Sequence, residues 1–268
     1  MILGIDISSS STGWALLENE KDVILKEYGL IKPTGGMSVS QRLYFFGNEI
    51  KKVIEKYTPK EIVIEETVLV RGPVIMRTLA SFRGVALFQA YSYQKREVTT
   101  YEPPNWKRII GMKGNAKKPE IQLFICERFK LLEQKKIEEY RKILVENGEK
   151  MDNFKKKKKE NVKFLENMVA EFSKNCESGK IVEKIETDLG TIEINEPELT
   201  KGGDVKKNAI KKCCKEITKK YTKLINAQNK EAEKKFVQVS IDVESDCGIG
   251  PDIADSIGVG LAKCSEGR

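Results

Sequence analysis

MILGIDISSSSTGWALL, residues 1–17, places one aspartate at the end of an apolar segment, follows it with small hydroxyl residues, and then resumes an apolar segment. Residues 2–7 and 13–17 read as short strands, because β-branched and aliphatic side chains dominate both. A polar turn at residues 18–21 leads to a third strand over 23–31, so the chain opens as an antiparallel meander. Next, Leu43, Phe46, Ile50, Val53, Ile54 and Tyr57 recur at helical spacing and predict an amphipathic helix over 40–57, ended by Pro59. Residues 61–65 predict a strand, 74–93 a helix beginning after Pro73, and 98–101 a fifth strand closed by Pro103 and Pro104. The order β-β-β-α-β-α-β specifies an α/β fold: a mixed five-stranded sheet with helices on its faces.

Beyond Pro119 the pattern changes. Residues 121–132 continue as an amphipathic helix, and a Lys/Glu-rich region then runs to Phe236. Its spaced apolar residues (Val162, Leu165, Met168, Val169, Phe172) predict helices with narrow apolar faces. A hairpin is expected over 181–194, with Asp188, Leu189 and Gly190 at its turn, and a loop at Lys201, Gly202 and Gly203. Strand-like alternation resumes over 237–243, and residues 252–264 form a last helix. The segments beginning at Gly114 and Gly203 share the pattern G-x-x-K-K-x-x-I, and either could open the helix that precedes the final acidic motif. The chain thus divides into a core of residues 1–132 with 237–268 and a mainly helical insertion of residues 133–236.

Composition narrows the function. With 48 Lys+Arg against 40 Asp+Glu the net charge is +8, which favours a polyanionic partner. Apolar runs such as residues 85–90 fall well short of the roughly 20 residues a membrane span needs, and Asp6 interrupts the start where a signal peptide would be apolar. A cytoplasmic or nucleoid-associated protein is expected, with no signal peptide, no transmembrane segment and no membrane partner. The six cysteines, Cys126, Cys176, Cys213, Cys214, Cys247 and Cys264, show no C-x-x-C spacing and histidine is absent, so no zinc site is expected and the cysteines read as reduced thiols. Without histidine there is no Ser-His-Asp, Cys-His or imidazole–metal chemistry. Carboxylates, lysines, hydroxyls and thiols remain.

Four carboxylates stand out. Asp6 and Glu65 end apolar strands, and Asp252 with Asp255, three apart after Pro251, share one face of a helix. An ionised carboxylate in an apolar segment is costly unless neutralised, and a divalent cation neutralises it. Converging, the four would offer hard oxygen ligands to two Mg²⁺ or Mn²⁺ ions, which activate a water and stabilise the leaving oxygen in phosphodiester cleavage.

The segments GIDISSSSTGWALLE, IVIEET, ASFRGVALFQAY and DIADSIGVGLA resemble the RuvC family of Holliday-junction resolvases. The resemblance implies an RNase H-like fold and a Mg²⁺-dependent crossover-junction endodeoxyribonuclease acting in recombination and repair, with Mn²⁺ as a substitute ion. The family's acidic positions fall on Asp6, Glu65 rather than Glu66, Asp252 and Asp255, which by resemblance are catalytic and bind two metal ions. The implied partner is a four-way DNA junction, nicked symmetrically by a homodimer to leave 5′-phosphate and 3′-hydroxyl ends. Two departures stand beside it. Val68 and Leu69 replace the aromatic wedge of several relatives, and residues 133–236 have no counterpart in the compact members.

Lys107, Lys113, Lys117 and Lys118 cluster around Gly111 and Gly114, where a basic glycine loop lets backbone N–H groups and lysines approach phosphates. They are the expected DNA-binding residues. Arg71, Arg77 and Arg83 follow Glu65. The run Lys155–Lys159 is diluted by neighbouring acids and reads as a solvated helix face. Two rival readings use the same residues. An ATP-binding protein of the actin and sugar-kinase superfamily also begins with a strand, an acid and a Ser/Thr/Gly turn, but needs a second D-x-G phosphate loop and a glycine-rich adenosine motif. A non-catalytic DNA-binding protein would use the basic helices alone, its acids being structural.

Overall fold

The computed structural model describes residues 1–67, 72–177, 184–187, 190–193 and 207–266. Val68, Leu69 and Arg71, the turn residues Asp188 and Leu189, and the loop residues Lys201, Gly202 and Gly203 lie outside the described residues.

Strands β1 (Ile2–Asp6), β2 (Thr12–Asn19) and β3 (Val23–Ile31) form the meander. Helix α1 (Val39–Tyr57) follows, opened by a reciprocal cap in which Ser38 and Gln41 each accept from the other's backbone N–H. Strand β4 (Glu61–Glu65), helix α2 (Pro73–Gln94) and strand β5 (Thr99–Tyr101) complete a sheet of order β3-β2-β1-β4-β5. β1 pairs antiparallel with β2 and parallel with β4, and β4 pairs parallel with β5. This is the mixed five-stranded sheet expected from the element order.

Alternation assigns the two sheet faces. Leu3, Ile5, Trp14, Leu16, Ile62 and Ile64 point to one side and pack with Phe46, Ile50, Ile54, Phe82, Ala86 and Ala90 of α1 and α2. The other face of β1 and β2 receives the final helix.

The next elements are α3 (Pro103–Ile109), α4 (Lys118–Arg128), α5 (Gln134–Glu177), β6 (Lys184–Thr187), β7 (Gly190–Glu193), α6 (Lys207–Cys247) and α7 (Pro251–Glu266). The prolines expected only to close the fifth strand instead open α3, since proline suits a first helical turn where its missing N–H has no intrahelical partner. The expected glycine loop therefore begins later, and Lys107 and Arg108 lie on a helix. Residues 237–243, expected as a strand, belong to α6. Phe236, Val239 and Val243 are buried while Val237 and Ile241 are more than half exposed, so burial follows the helical rather than the two-residue period. The helix expected over 121–132 starts and stops earlier as α4. The two G-x-x-K-K segments lead into α4 and α6 respectively; α6 precedes α7 in sequence, whereas α4 packs against α7 in space.

The chain forms two compact units, residues 1–142 with 238–268, and residues 143–237. In the first, Gln122 of α4 donates to the carbonyls of Ser240 and Ile249, the Cys126 and Cys247 sulfurs lie 2.9 Å apart as free thiols, and Tyr140 donates to Asp246 at 2.6 Å. The second has its own core of Met168, Phe172, Ile192, Ile210, Cys213, Ile217 and Tyr221, which includes the β6–β7 hairpin. Among the described residues no helix is long and apolar enough to cross a membrane.

Candidate active site

The parallel register matches Ile5 with Ile64, so Asp6 and Glu65 end neighbouring strands at the same level. Both lie on the face opposite the α1–α2 core. Two glycines bring α7 onto that face. A Cβ on Gly4 would run into the carbonyl oxygen of Ser256, and one on Gly13 into that of Asp252, so the strand backbones and the first turns of α7 touch where no side chain fits. Pro251 opens α7, and the helical repeat turns Asp252 and Asp255 to one side. Asp255 is buried and Asp252 half-buried.

The four acids feel one another. Burial pushes the Asp6 carboxyl well above its usual range, and the charges of Glu65, Asp255 and Asp252 push the same way, opposed by Lys118. Glu65 is pushed up to about 7 by burial and then by Asp255, against the hydrogen bond from Trp106 and the charges of Lys107 and Lys118. Asp255 rises to about 6 because burial outweighs the pull of Lys118 and Lys107. Lys118 Nζ sits 3.0 Å from Asp252 Oδ1 and 3.9 Å from Asp255 Oδ2. Although burial disfavours its charge, the hydrogen bond to Asp252 and the surrounding acids hold its pKa above the usual lysine range.

This donor set fits a hard divalent cation. It consists of carboxylate oxygens, and one of them, Asp255 Oδ1, is buried without a hydrogen-bond partner, a costly arrangement unless another ligand meets it. Among the described residues no three His, Cys, Asp or Glu side chains are gathered into a finished metal cage. Lys118 lies against the two helical acids of the set.

The other expected residues separate by role. Glu66 pairs with Arg83 and is thereby held away from Glu65's place. Lys107 Nζ donates to the Ala116 carbonyl at 3.0 Å. Lys113 is exposed between α3 and α4, and Lys117 caps α4, its N–H donating to Glu120 at 2.6 Å. Sequence reasoning missed Trp106, whose indole N–H donates to Glu65 Oε2 at 2.8 Å, and the paired approach at Gly4 and Gly13. Glycine at alternate strand positions on the Asp6 side was the only signal for that approach; nothing in the sequence marked Trp106. The IGVGLA segment lies inside α7, so it is not the glycine-rich adenosine loop that a sugar-kinase-like reading requires.

The raised acids make stability depend on pH. A folded-state pKa above the unfolded value favours the folded protein fully below the unfolded pKa, and that contribution disappears as pH rises through the folded pKa. For Glu65, moving from 4.5 to about 7, the contribution is on the order of 3 kcal/mol. Metal-free protein is therefore expected to lose thermal stability between about pH 4.5 and 7. A Tm that stayed level between about pH 4.5 and 7 in thermal unfolding of the metal-free protein would contradict this account.

Residues 2–141 match the family described as Crossover junction endodeoxyribonuclease RuvC. The protein of that name from Wolbachia sp. subsp. Drosophila simulans (strain wRi) is 32% identical over 135 residues, covering 49% of this chain and 82% of that protein. The Thermus thermophilus RuvC structure aligns with a TM-score of 0.43 at 20% identity, covering 49% of this chain and 81% of that one. T. thermophilus RuvC in complex with Holliday junction substrate aligns with the same score at 18% identity, over 49% of this chain and 80% of that one.

Proposed function

The chain belongs to the RuvC family of crossover junction endodeoxyribonucleases, and on that premise we propose that it resolves Holliday junctions by paired, symmetric nicks as a homodimer. Asp6, Glu65, Asp252 and Asp255 would hold two Mg²⁺ ions, for which Mn²⁺ would substitute. The observation that carries this reading is the docking of α7, through its close approach to Gly4 and Gly13, against the strand ends that carry Asp6 and Glu65, with Asp255 Oδ1 buried and without a hydrogen-bond partner. The nuclease core comprises residues 1–132 with 237–268, and residues 133–236 are a mainly helical insertion.

Bound divalent ions would polarise an attacking water and stabilise the leaving oxygen, giving 5′-phosphate and 3′-hydroxyl ends. The chain's own residues prepare for this. Asp6 and Glu65 present oxygens from a rigid sheet, and Asp252 and Asp255 approach from a helix docked on the same face. Lys118 neutralises the helical pair, with Nζ 3.0 Å from Asp252 Oδ1 and 3.9 Å from Asp255 Oδ2. Lys107, Lys113 and Lys117 hold the DNA backbone beside it. Incubating labelled four-way junctions and linear duplex with Mg²⁺, Mn²⁺ or EDTA tests the reading. Paired nicks in the junction with either ion and none in EDTA are expected; junction binding without metal-dependent cleavage would overturn it.

Dimerisation is supported by an apolar stripe on α2. Val74, Phe88 and Tyr91 are each more than half exposed, and Tyr44 of the adjoining α1 is 75% exposed. Large apolar side chains exposed together mark an interaction site. Phe88→Glu combined with Tyr91→Glu should yield a monomer in sedimentation velocity and replace paired nicks by unpaired ones. A double variant that still sedimented as a dimer would place the interface elsewhere.

A further inference from the structure

Trp106 occupies a position that neither the acidic motif nor the basic segment accounts for. It is fully buried on α3, whose start is set by Pro103 and Pro104 and whose Trp106 N–H bonds back to the Glu102 carbonyl. The indole N–H donates to Glu65 Oε2 at 2.8 Å. The opposite, six-membered edge of the ring lies over Gly258 of α7, where any Cβ would collide with the ring carbons. One rigid side chain thus spans from the carboxylate at the end of β4 to the helix that carries Asp252 and Asp255. Lys107 Nζ lies 5.4 Å from the centre of the same ring system, which adds a cation to its face.

An indole nitrogen is a donor only and cannot itself ligate a cation. Its bond occupies one oxygen of Glu65, restricts rotation of the carboxylate and leaves Oε1 outside that bond. Mg²⁺ demands nearly ideal octahedral geometry with single-oxygen carboxylate ligands, whereas Ca²⁺ accepts two-oxygen carboxylate ligation in a looser shell. We propose that Trp106 is a positioning residue that holds Glu65 to one-oxygen ligation and sets its spacing from α7, so that the site prefers Mg²⁺ over Ca²⁺. This rests on the divalent-ion reading of the four acids.

Trp106→Phe keeps an aromatic ring on α3 but removes the N–H donor together with part of the ring system that rests on Gly258. Calorimetric titration of the full chain without DNA should show Mg²⁺ affinity weakened by about tenfold, the scale of losing a group that orients a metal ligand. Ca²⁺ affinity should change little, so the Mg²⁺ preference narrows. Unchanged relative affinities in a folded Trp106→Phe protein would overturn the proposal.

A second measurement needs no variant of Trp106. The chain contains two tryptophans, Trp14 and Trp106, so their indole N–H resonances can be assigned by comparing the wild type with Trp14→Phe. Mg²⁺ should shift the Trp106 resonance and leave that of Trp14 in place, and Glu65→Gln should remove the response. A Trp106 resonance indifferent to bound Mg²⁺ would overturn the proposal while leaving the metal site intact. Absence of any calorimetric Mg²⁺ or Ca²⁺ binding by the wild type would instead defeat the parent reading, and this proposal with it.

Discussion

Asp6→Asn is expected to reduce cleavage of a four-way junction by roughly a thousandfold or more, equivalent to about 4 kcal/mol of lost transition-state stabilisation. The same substitution should raise the Tm of the metal-free protein by several degrees. Both effects have one cause. Burial and the charges of Glu65, Asp255 and Asp252 make the ionised Asp6 costly, so a neutral isostere relieves the folded state while removing an oxygen ligand. Junction binding should persist, because the proposed grip on DNA falls on other side chains, among them Lys113, exposed between α3 and α4, and Lys117 at the start of α4. Glu65→Gln and Asp255→Asn should behave alike, their carboxyls being raised by the same burial, and Asp252→Asn should also lose cleavage. A variant that cut at the wild-type rate would remove its residue from the site, and a fall in Tm for Asp6→Asn would contradict the electrostatic account.

Gly13→Ala is expected to cost about 3 kcal/mol of stability, at the upper end for forcing one methyl group into a packed contact. The added Cβ meets the Asp252 backbone itself, which cannot rotate aside as a flexible side chain would. Because that backbone carries two of the acids, cleavage should fall further than the loss of folded protein explains. Gly35→Ala is the matched control: nothing lies within 4 Å of its Cβ position, and stability should stay within about 0.5 kcal/mol. Denaturant unfolding of both variants, with cleavage measured where each is fully folded, separates the two effects. Equal behaviour of the two variants would show that α7 does not need Gly13's close approach.

The five strands, the helices α1, α2 and α7 and the sheet's mixed character were legible because apolar periodicity and proline positions coincide there. α3 was not. Seven residues are too few for a periodic signal, and two prolines read as a strand terminator before they read as a helix start. The alternation of residues 237–243 fits a strand and a helix about equally well; only packing, which buries Val239 and Val243 and exposes Val237 and Ile241, separates the two. Lys118 shows the same limit for charge. In sequence it joins three other lysines in a basic segment, yet in the fold it faces the acids, because α4 packs against α7 and brings residues 134 positions apart to 3.0 Å.

By itself, the sequence determined which carboxylates end apolar strands and which share a helical face, since strand and helix periods are local properties of the backbone. It determined as well that imidazole chemistry is excluded. Tertiary structure alone decided that α7 brings Asp252 and Asp255 onto the sheet face of Asp6 and Glu65, that Lys118 balances two of them, and that Trp106 grips Glu65 while resting on α7. Those relations depend on the parallel register of β1 with β4 and on side chains missing at Gly4 and Gly13. Register and close approach are set by contacts between segments far apart in the chain, which no local pattern encodes.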